Sequence, residues 1–255
     1  MDVETSWITF RSGNEEIGGF VARPRSKGRW PGLVVGHENL GLTEYRQNET
    51  AQMAAHGIVV LVTNLYSRIG GKAPAGPFVT PDDRRRAAFL SMPDERSAED
   101  FLASAGWLRA QNYVDSSAVA LLGFCSGGSL AFYTACTRPG VFRCLVSIYG
   151  NIILRGEFTE DRQPKSRIPL APSLSCPMQG HYGAKDSEIP PAHVAELWRV
   201  LAEHDKQFEF YSYPGANHVF SDSSHPNYQP EATRLMWSRT YRYLREQLGH
   251  SIETS

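Results

Sequence analysis

The stretch ALLGFCSGGSLAFYTA, residues 120–135, joins an apolar run typical of a buried strand to a helical segment. Cys125 stands at the junction, between Gly123 and Gly127. Glycines on both sides let the backbone make a tight bend that lifts the middle side chain above the sheet. The same bend aims the backbone N–H of Ser126, at the helix start, toward an oxyanion formed there. The pattern predicts a cysteine nucleophile, and the alternative is a small buried core residue.

Apolar runs and helical segments alternate along the rest of the chain, without internal repeats. Two short strands open it, and later runs such as IVVLVTNLY, residues 58–66, are typical of strands buried on both faces. A helix is predicted after Thr80, which serves as its N-cap. We therefore predict an α/β fold with a mostly parallel sheet of about eight strands wrapped by helices, in a single domain of residues 1–255. Residues 150–175 lack clear periodicity and are expected to form a lid or cover over a site.

Charge and composition argue against several classes of partner. The formal net charge of −1 and the pI of about 6.7 provide no broad basic surface for nucleic acid or an anionic membrane. The chain has no run of 18 apolar residues and no leader-like start, so we expect a cytosolic protein that acts on a small molecule. Four cysteines lie far apart without a CxxC pair, so free thiols are expected, and neither a metal nor a cofactor is indicated. The sequence carries no signal for the oligomeric state.

A thiol nucleophile needs a base, and a histidine oriented by a carboxylate is the usual solution. Asp186 and His218 each follow a predicted strand, and the chain order nucleophile, acid, histidine is that of the α/β-hydrolase fold. Taken alone, Asp186 could cap the next helix, and His218 could be a solvated loop residue. His181 is the main rival histidine, but its place inside a strand favours a packing role. A zinc site of His181, Asp186 and His218 is disfavoured because no metal-ligand spacing repeats.

The segments GFCSGG, GAKDSEIP and GANHVF, together with VVGHENLGL and TNLYSR, resemble the dienelactone hydrolase family over nearly the whole chain. The resemblance implies an α/β-hydrolase fold, carboxymethylenebutenolidase-like ester hydrolysis without a cofactor, and a triad of Cys125, Asp186 and His218. It further implies that Glu38 lies near the thiol and takes its proton when substrate binds. The backbone N–H of Asn39 is implied as a second oxyanion donor beside that of Ser126.

The resemblance also implies arginines around a substrate carboxylate. One of them falls on Arg85, in a run of three arginines that is otherwise typical of a solvated helix face. The position of the other is occupied by Asp222, whose charge has the opposite sign, which weakens carboxylate binding by this route. Tyr149 and Phe220 complete the set of predicted substrate-binding residues.

Thiol chemistry narrows the substrate independently of the family. A thiolate, with a pKa of about 8.5, leaves a tetrahedral adduct more readily than an alkoxide, so attack on an alkyl ester mostly reverses. Enol lactones, aryl esters and thioesters have stabilised leaving groups, so their tetrahedral adducts collapse to the acyl-enzyme. We therefore predict an activated ester or lactone as substrate. The alternatives are a general carboxylesterase or thioesterase, a non-catalytic small-molecule binder, and a thiol peptidase or acyltransferase on the same fold.

Overall fold

Eight strands of the described part form one sheet in the computed structural model, which describes residues 1–154, 166–250 and 252. In chain order the strands are β1 (Val3–Ser12), β2 (Glu15–Pro24), β3 (Trp30–Gly36), β4 (Val59–Thr63), β5 (Val114–Phe124), β6 (Leu145–Ile148), β7 (Met178–Gly183) and β8 (Phe208–Tyr213). Their order in the sheet is β1-β2-β4-β3-β5-β6-β7-β8. β2 pairs antiparallel with β1 and β4, and the remaining pairs are parallel. The predicted mostly parallel sheet is confirmed.

Six α-helices of the described part cover this sheet: α1 (Glu44–Ala55), α2 (Pro81–Leu90), α3 (Asp94–Arg109), α4 (Ser126–Thr137), α5 (Pro191–Glu203) and α6 (Pro230–Leu248). The predicted N-cap of α2 is confirmed, because the Thr80 hydroxyl accepts from the Asp83 N–H and the Asp83 carboxylate accepts from the Thr80 N–H. None of the described helices combines the length and the apolar composition needed to cross a membrane.

The two faces of the sheet bury two separate hydrophobic clusters. Successive residues of a strand point to opposite faces, so on β3 Val34 packs in the cluster beneath α3, α4 and α5, whereas Leu33 and Val35 pack in the cluster beneath α1 and α6. All three are fully buried, and each such side chain contributes roughly 1.5–3 kcal/mol relative to an exposed one. Burial on both faces explains why the central strands are continuous apolar runs.

The parallel strands direct their carboxyl ends to the same edge of the sheet. The loops and turns that follow β3, β5, β7 and β8 therefore meet there, and these segments carry Glu38 and Asn39, Cys125, Asp186, and His218 respectively. Ligands of open α/β sheets bind outside this edge. The topology thus brings together residues that lie as much as 180 positions apart in the chain.

The predicted cover, residues 150–175, is described at its two flanks, since residues 155–165 lie outside the described residues. Ile153 and Ser166 form an isolated antiparallel bridge that ties the flanks together. Beyond the bridge, the fully buried Arg167 forms an ion pair with Asp94 at the start of α3. The flanks are thus anchored to the body of the protein, and a lid formed by the middle of the segment stays a prediction.

Candidate active site

The turn between β5 and α4 holds Cys125 in an unusual backbone conformation. Its φ of 49° and ψ of −117° lie outside the backbone regions that residues other than glycine prefer. Such a conformation costs roughly 1–3 kcal/mol and persists only where the surrounding structure holds the residue in place. The close backbone packing at Gly123 and Gly127 holds Cys125 in this conformation. A Cβ on Gly127 would lie 2.3 Å from the carbonyl oxygen of Gly36, and a Cβ on Gly123 would lie 2.2 Å from the carbonyl oxygen of Gly127. Glycines at these positions let the start of α4 pack against the ends of β3 and β5.

Three side chains from three strand ends form a continuous hydrogen-bonded chain. His218 Nε2 lies 3.2 Å from Cys125 Sγ, and His218 Nδ1 lies 2.8 Å from Asp186 Oδ2. The other carboxylate oxygen, Asp186 Oδ1, accepts hydrogen bonds from the backbone N–H groups of Glu188 and Ile189. Asp186 therefore fixes its own loop with one oxygen and orients the imidazole with the other. The N-cap of α5 is Pro190, so Asp186 does not cap that helix.

The electrostatic environment of His218 favours its protonated form. Burial is the largest influence and would lower the pKa of His218, because a charged imidazole is less well solvated there. The attraction to the Cys125 sulfur in its thiolate form, the charge of Asp186, and the hydrogen bonds with both outweigh burial and raise the pKa of His218 well above its ordinary value. The imidazole is arranged to hold a proton between the sulfur and the carboxylate.

Two backbone N–H groups predicted as oxyanion donors belong to residues in the wall of one cavity beside the sulfur. Ser126 is the first residue of α4, where the positive end of the helix dipole favours an anion. Asn39 lies in the loop after β3, and its carbonyl oxygen accepts a hydrogen bond from the Tyr66 hydroxyl at 2.9 Å. The two donors belong to different segments: the start of α4 is held by the close packing of Gly127, and the loop after β3 is held by the Tyr66 hydroxyl.

Glu38, in the loop after β3, is held by an arginine of α1. It is buried, and its Oε2 accepts from the guanidinium of Arg46 at 2.8 and 3.2 Å. Arg46 also pairs with Glu49, and its guanidinium stacks 3.5 Å above the ring of Phe124. Burial raises the pKa of Glu49 to about 7 against the opposing charge of Arg46. Within the described residues no hydrogen bond joins Glu38 to Cys125, and Glu38 Oε1 is buried without a partner.

A narrow cavity of about 40 Å³ opens above the cysteine. Its described wall consists of Asn39, Arg85, Phe89, Cys125, Ser126, Ser129, Asn151, Leu154, Glu188 and His218. Asn151 and Leu154 belong to the first flank of the predicted cover segment, which therefore contributes to the wall. Phe89, Ser129 and Glu188 were not predicted from the sequence, and Asn151 and Leu154 were predicted only as part of the cover segment, because no local pattern marks these residues individually. Glu188 stands two positions after Asp186, and this proximity is the one signal that could have identified it.

Two predicted substrate-binding residues lie behind the site and do not belong to the described cavity wall. Tyr149 and Phe220 are fully buried, and their rings contact each other at 5.6 Å between centroids. Tyr149 also meets the ring of His218 edge-on at 5.3 Å, so it supports the imidazole from behind. Asp222 is buried as well and accepts from the N–H and hydroxyl of Ser224, which makes it a turn residue away from the cavity. Arg85 does line the cavity, where it forms an ion pair with Glu188 at 2.7 Å.

His181 lies inside β7 and is satisfied by structural hydrogen bonds. Its Nε2 lies 2.8 Å from Gln179 Oε1, and its Nδ1 lies 2.8 Å from the Tyr213 hydroxyl. Burial, together with the charges of Arg239 and Arg242, lowers its pKa to about 3. Its hydrogen bonds keep His181 from joining Asp186 and His218 as a metal ligand, and the described part of the chain contains no group of three side chains suited to a metal ion. All four cysteines are free thiols.

Comparison with known sequences extends over almost the entire chain. The sequence profile described as "Dienelactone hydrolase family" matches residues 17–248. A Bradyrhizobium protein assigned as a 2-oxo-3-(5-oxofuran-2-ylidene)propanoate lactonase is 26% identical, over 95% of this chain and 94% of that protein. A Yersinia pestis protein assigned as a carboxymethylenebutenolidase is 28% identical, over 91% of this chain and 84% of that protein.

Comparison with solved structures leads to the same family. The crystal structure of a protein assigned as a dienelactone hydrolase from Klebsiella pneumoniae superimposes with a TM-score of 0.86 at 25% identity, covering 96% of this chain and all of that chain. The acylaminoacyl peptidase of Pyrococcus horikoshii shares the fold alone, with a TM-score of 0.75 at 16% identity over 96% of this chain and 42% of that chain. This chain belongs to the dienelactone hydrolase family and is a carboxylic ester hydrolase with the α/β-hydrolase fold.

Proposed function

We propose that the enzyme opens activated esters or lactones, with dienelactone-type enol lactones as the leading substrate class, through an acyl intermediate on Cys125. The observation that carries the proposal is the chain of contacts from Cys125 Sγ to His218 Nε2 at 3.2 Å and from His218 Nδ1 to Asp186 Oδ2 at 2.8 Å. This geometry supports a nucleophile, a base and an orienting carboxylate, which together are needed for acyl transfer.

In the acylation half, His218 Nε2 takes the thiol proton, and Sγ forms a bond to the carbonyl carbon of the substrate. The carbonyl π electrons move onto oxygen, and the resulting oxyanion is stabilised by the N–H groups of Ser126 and Asn39. The adduct then collapses, the bond between carbon and the leaving oxygen breaks, and His218 transfers its proton to that oxygen. When the substrate is a lactone, the leaving oxygen remains tethered within the acyl group.

In the deacylation half, His218 takes a proton from a water molecule, and the hydroxide oxygen bonds to the thioester carbon. Collapse of this second adduct breaks the bond between carbon and sulfur. The proton held by His218 returns to the thiolate, so the enzyme is regenerated with one water consumed and one carboxylic acid released. Asp186 keeps Nδ1–H of the imidazole pointed away from the reacting atoms throughout.

The nature of the leaving group sets the substrate class. Because a thiolate departs more readily than an alkoxide, acylation goes forward only when the leaving oxygen is stabilised, as in an enol or an aryl ester. An enol released from a lactone can rearrange to a ketone, which makes ring opening irreversible. The Bradyrhizobium relative is assigned as a lactonase, which supports a lactone over an open-chain ester for this chain.

Glu38 stays the proposed second acceptor of the thiol proton. Its Oε2 is engaged by Arg46, but its Oε1 is buried and has no hydrogen-bond partner within the described residues. A buried carboxylate oxygen without a hydrogen-bond partner is unfavourable, and a catalytic role is one reason for such a group to persist. Rotation of the Cys125 thiol toward this oxygen would supply such a partner. The single-domain organisation and the cytosolic location likewise stay predictions of the sequence.

The test is hydrolysis of a panel of enol lactones, aryl esters and thioesters by Cys125→Ala. We expect turnover of the whole panel to fall by a factor of roughly 10³ or more, because the acyl intermediate cannot form. The matched control is Cys176→Ala, since Cys176 is also partly exposed but burial raises its pKa to about 12. Unchanged rates in Cys125→Ala would contradict the proposal, and equal losses in both variants would indicate a structural effect.

A further inference from the structure

A buried ionic cluster joins α1 to the loop after β3. The guanidinium of Arg46 donates through Nε and Nη2 to Glu38 Oε2, and it donates through Nη1 to Glu49 Oε2. All three side chains are buried, so water screens their charges far less than it would at the surface. One positive charge is therefore shared by two carboxyl groups.

The cluster also reaches the loop that carries His218. The Tyr45 hydroxyl lies 3.0 Å from Glu49 Oε1 and 2.7 Å from the backbone carbonyl oxygen of Ser221. Ser221 follows His218 by three positions. Glu49 is thus held at both of its oxygens, one by Arg46 and the other by Tyr45, and its carboxyl group stays next to the guanidinium.

Glu49 is a member of this cluster that changes its charge near neutral pH. Burial raises the pKa of Glu49 to about 7, against the charge of Arg46 and the hydrogen bond from Tyr45, which lower it. With Glu38 ionised, the cluster is neutral while Glu49 is protonated and carries one net negative charge once Glu49 ionises. The charged or titratable groups that act on Glu49 come from α1, the loop after β3, the end of β6, the loop after β8 and α6, and they are Arg46, Tyr45, Glu38, Tyr149, Asp222 and Tyr241.

We propose that Glu49 is a positioning residue: through Arg46, its charge makes Glu38 a stronger proton acceptor. The proton is that of the Cys125 thiol, and the inference rests on the proposed role of Glu38 as its acceptor. While Glu49 is neutral, Arg46 stabilises the Glu38 carboxylate alone and weakens it as a base. Once Glu49 is ionised, the guanidinium is shared, and the second negative charge favours a proton on Glu38.

The experiment measures kcat/KM for p-nitrophenyl acetate between about pH 5.5 and pH 8.5 in wild type and in Glu49→Gln. Glutamine keeps the shape of the side chain but cannot ionise. The ratio of kcat/KM in wild type to that in the variant should lie near one at the acidic end, where Glu49 is protonated. Above pH 8, where Glu49 is charged, the ratio should reach about tenfold. The titration of His218, which both proteins contain, largely cancels in this ratio.

Two comparisons assign the effect to Glu38. In the Glu38→Gln background, the additional change Glu49→Gln should leave kcat/KM within about twofold at every pH, because the acceptor that Glu49 influences is gone. Glu44→Gln is the matched control, since it removes the same charge from an exposed position on the same helix. Its ratio should stay near one throughout.

The outcomes separate this inference from the proposed chemistry. A ratio that rises with pH in the wild-type background and stays flat in the Glu38→Gln background supports the role of Glu49. A loss that is equal at every pH, as a structural role would give, or one that persists without Glu38, overturns it. Wild-type kcat/KM in Glu38→Gln itself would contradict the proposed role of Glu38 and, with it, this inference. Turnover by Cys125→Ala would instead contradict the proposed nucleophile.

Discussion

His181 in the interior of β7 and His218 in the loop after β8 are both buried histidines, yet their environments act in opposite directions. The pKa of His181 is lowered to about 3 by burial and by the charges of two arginines. The pKa of His218 is raised well above its ordinary value, because the charges of Cys125 and Asp186 outweigh burial. Inside the strand the imidazole is kept neutral, and at the strand end it is prepared to carry a proton.

The difference shows that burial alone does not decide the direction in which the pKa of a histidine shifts. Both imidazoles have hydrogen-bond partners on both nitrogens. The partners of His181 are a phenol, an amide and the Thr240 hydroxyl, which remain neutral, whereas those of His218 are a thiol and a carboxylate, which can be charged. A strand end, where loops converge and a cavity opens, allows charged partners to share one histidine.

Within the comparison of the two histidines, the largest expected effect is the loss of activity on replacing His218. We expect His218→Gln to reduce kcat/KM for an aryl ester by a factor of roughly 10²–10⁴, since both proton transfers of the proposed mechanism depend on this imidazole. His181→Gln should retain kcat/KM within a few-fold when rates are corrected for the folded fraction, measured by circular dichroism. Comparable activity losses in the two folded variants would remove the distinction between the two regions.

Replacing Asp186 tests the charge that acts on His218. Because Asp186 helps to raise the pKa of His218, Asp186→Asn should lower that pKa, and the unprotonated imidazole needed for deacylation should appear at lower pH. We expect kcat to fall by a factor of about 10² or more, and the acidic limb of the kcat profile to move toward lower pH. A limb that keeps its position would show that Asp186 does not act on the pKa of His218.

The lowered pKa of His181 predicts that its contribution to the free energy of unfolding is lost in acid. Its folded pKa of about 3 lies below the ordinary 6.5, so the unfolded chain binds the proton more tightly and stability falls as pH decreases from 6.5 toward 3. The slope approaches about 1.4 kcal/mol per pH unit in that window. This pH dependence is measured by urea unfolding of wild type and His181→Gln between pH 7 and 4. The free energies should converge as pH falls, and parallel curves would contradict the shift.

The smallest expected effect is that of a single hydrogen bond in the His181 region. The Thr240 hydroxyl lies 3.1 Å from His181 Nε2 and is fully buried. Thr240→Val keeps the shape of the side chain and should lower the free energy of unfolding by about 1 kcal/mol. Thr134→Val is the matched control, because the Thr134 hydroxyl is also buried but donates to the backbone of α4 and not to His181. Kinetic constants should remain at wild-type values, and a loss of activity would connect this region to the site.

Local sequence patterns predict the features that depend on backbone geometry: the turn at Cys125, the central strands and the sheet edge at which the site forms. The glycines around Cys125 predict the strained turn, because a Cβ on Gly127 would collide with the backbone of Gly36. Continuous apolar runs predict the central strands, and the residues after those strands predict which side chains meet at one edge of the sheet. The same reasoning correctly separates His181, within a strand, from His218, after one.

Partners that depend on helix packing were beyond prediction. Arg46 reaches Glu38 because α1 packs beside the loop after β3, and no pattern in the sequence encodes that angle. The pairing of Arg85 with Glu188 joins residues 103 positions apart. Tyr149 also follows a strand, but its ring turns behind His218 instead of into the cavity. Side-chain direction at a strand end is decided by neighbours that come from other parts of the chain.

The most direct test of the central claim is to trap the acyl intermediate. Wild type and His218→Gln are mixed with p-nitrophenyl acetate, quenched in acid, and analysed by intact mass and peptide mapping. A single acetyl group on the peptide containing Cys125 is the predicted result. Accumulation is favoured in the variant because the nitrophenolate leaves without a proton from His218, so that loss of the imidazole slows deacylation more than acylation. Turnover with acetyl on another residue, or with no covalent adduct at any quench time, would contradict the account.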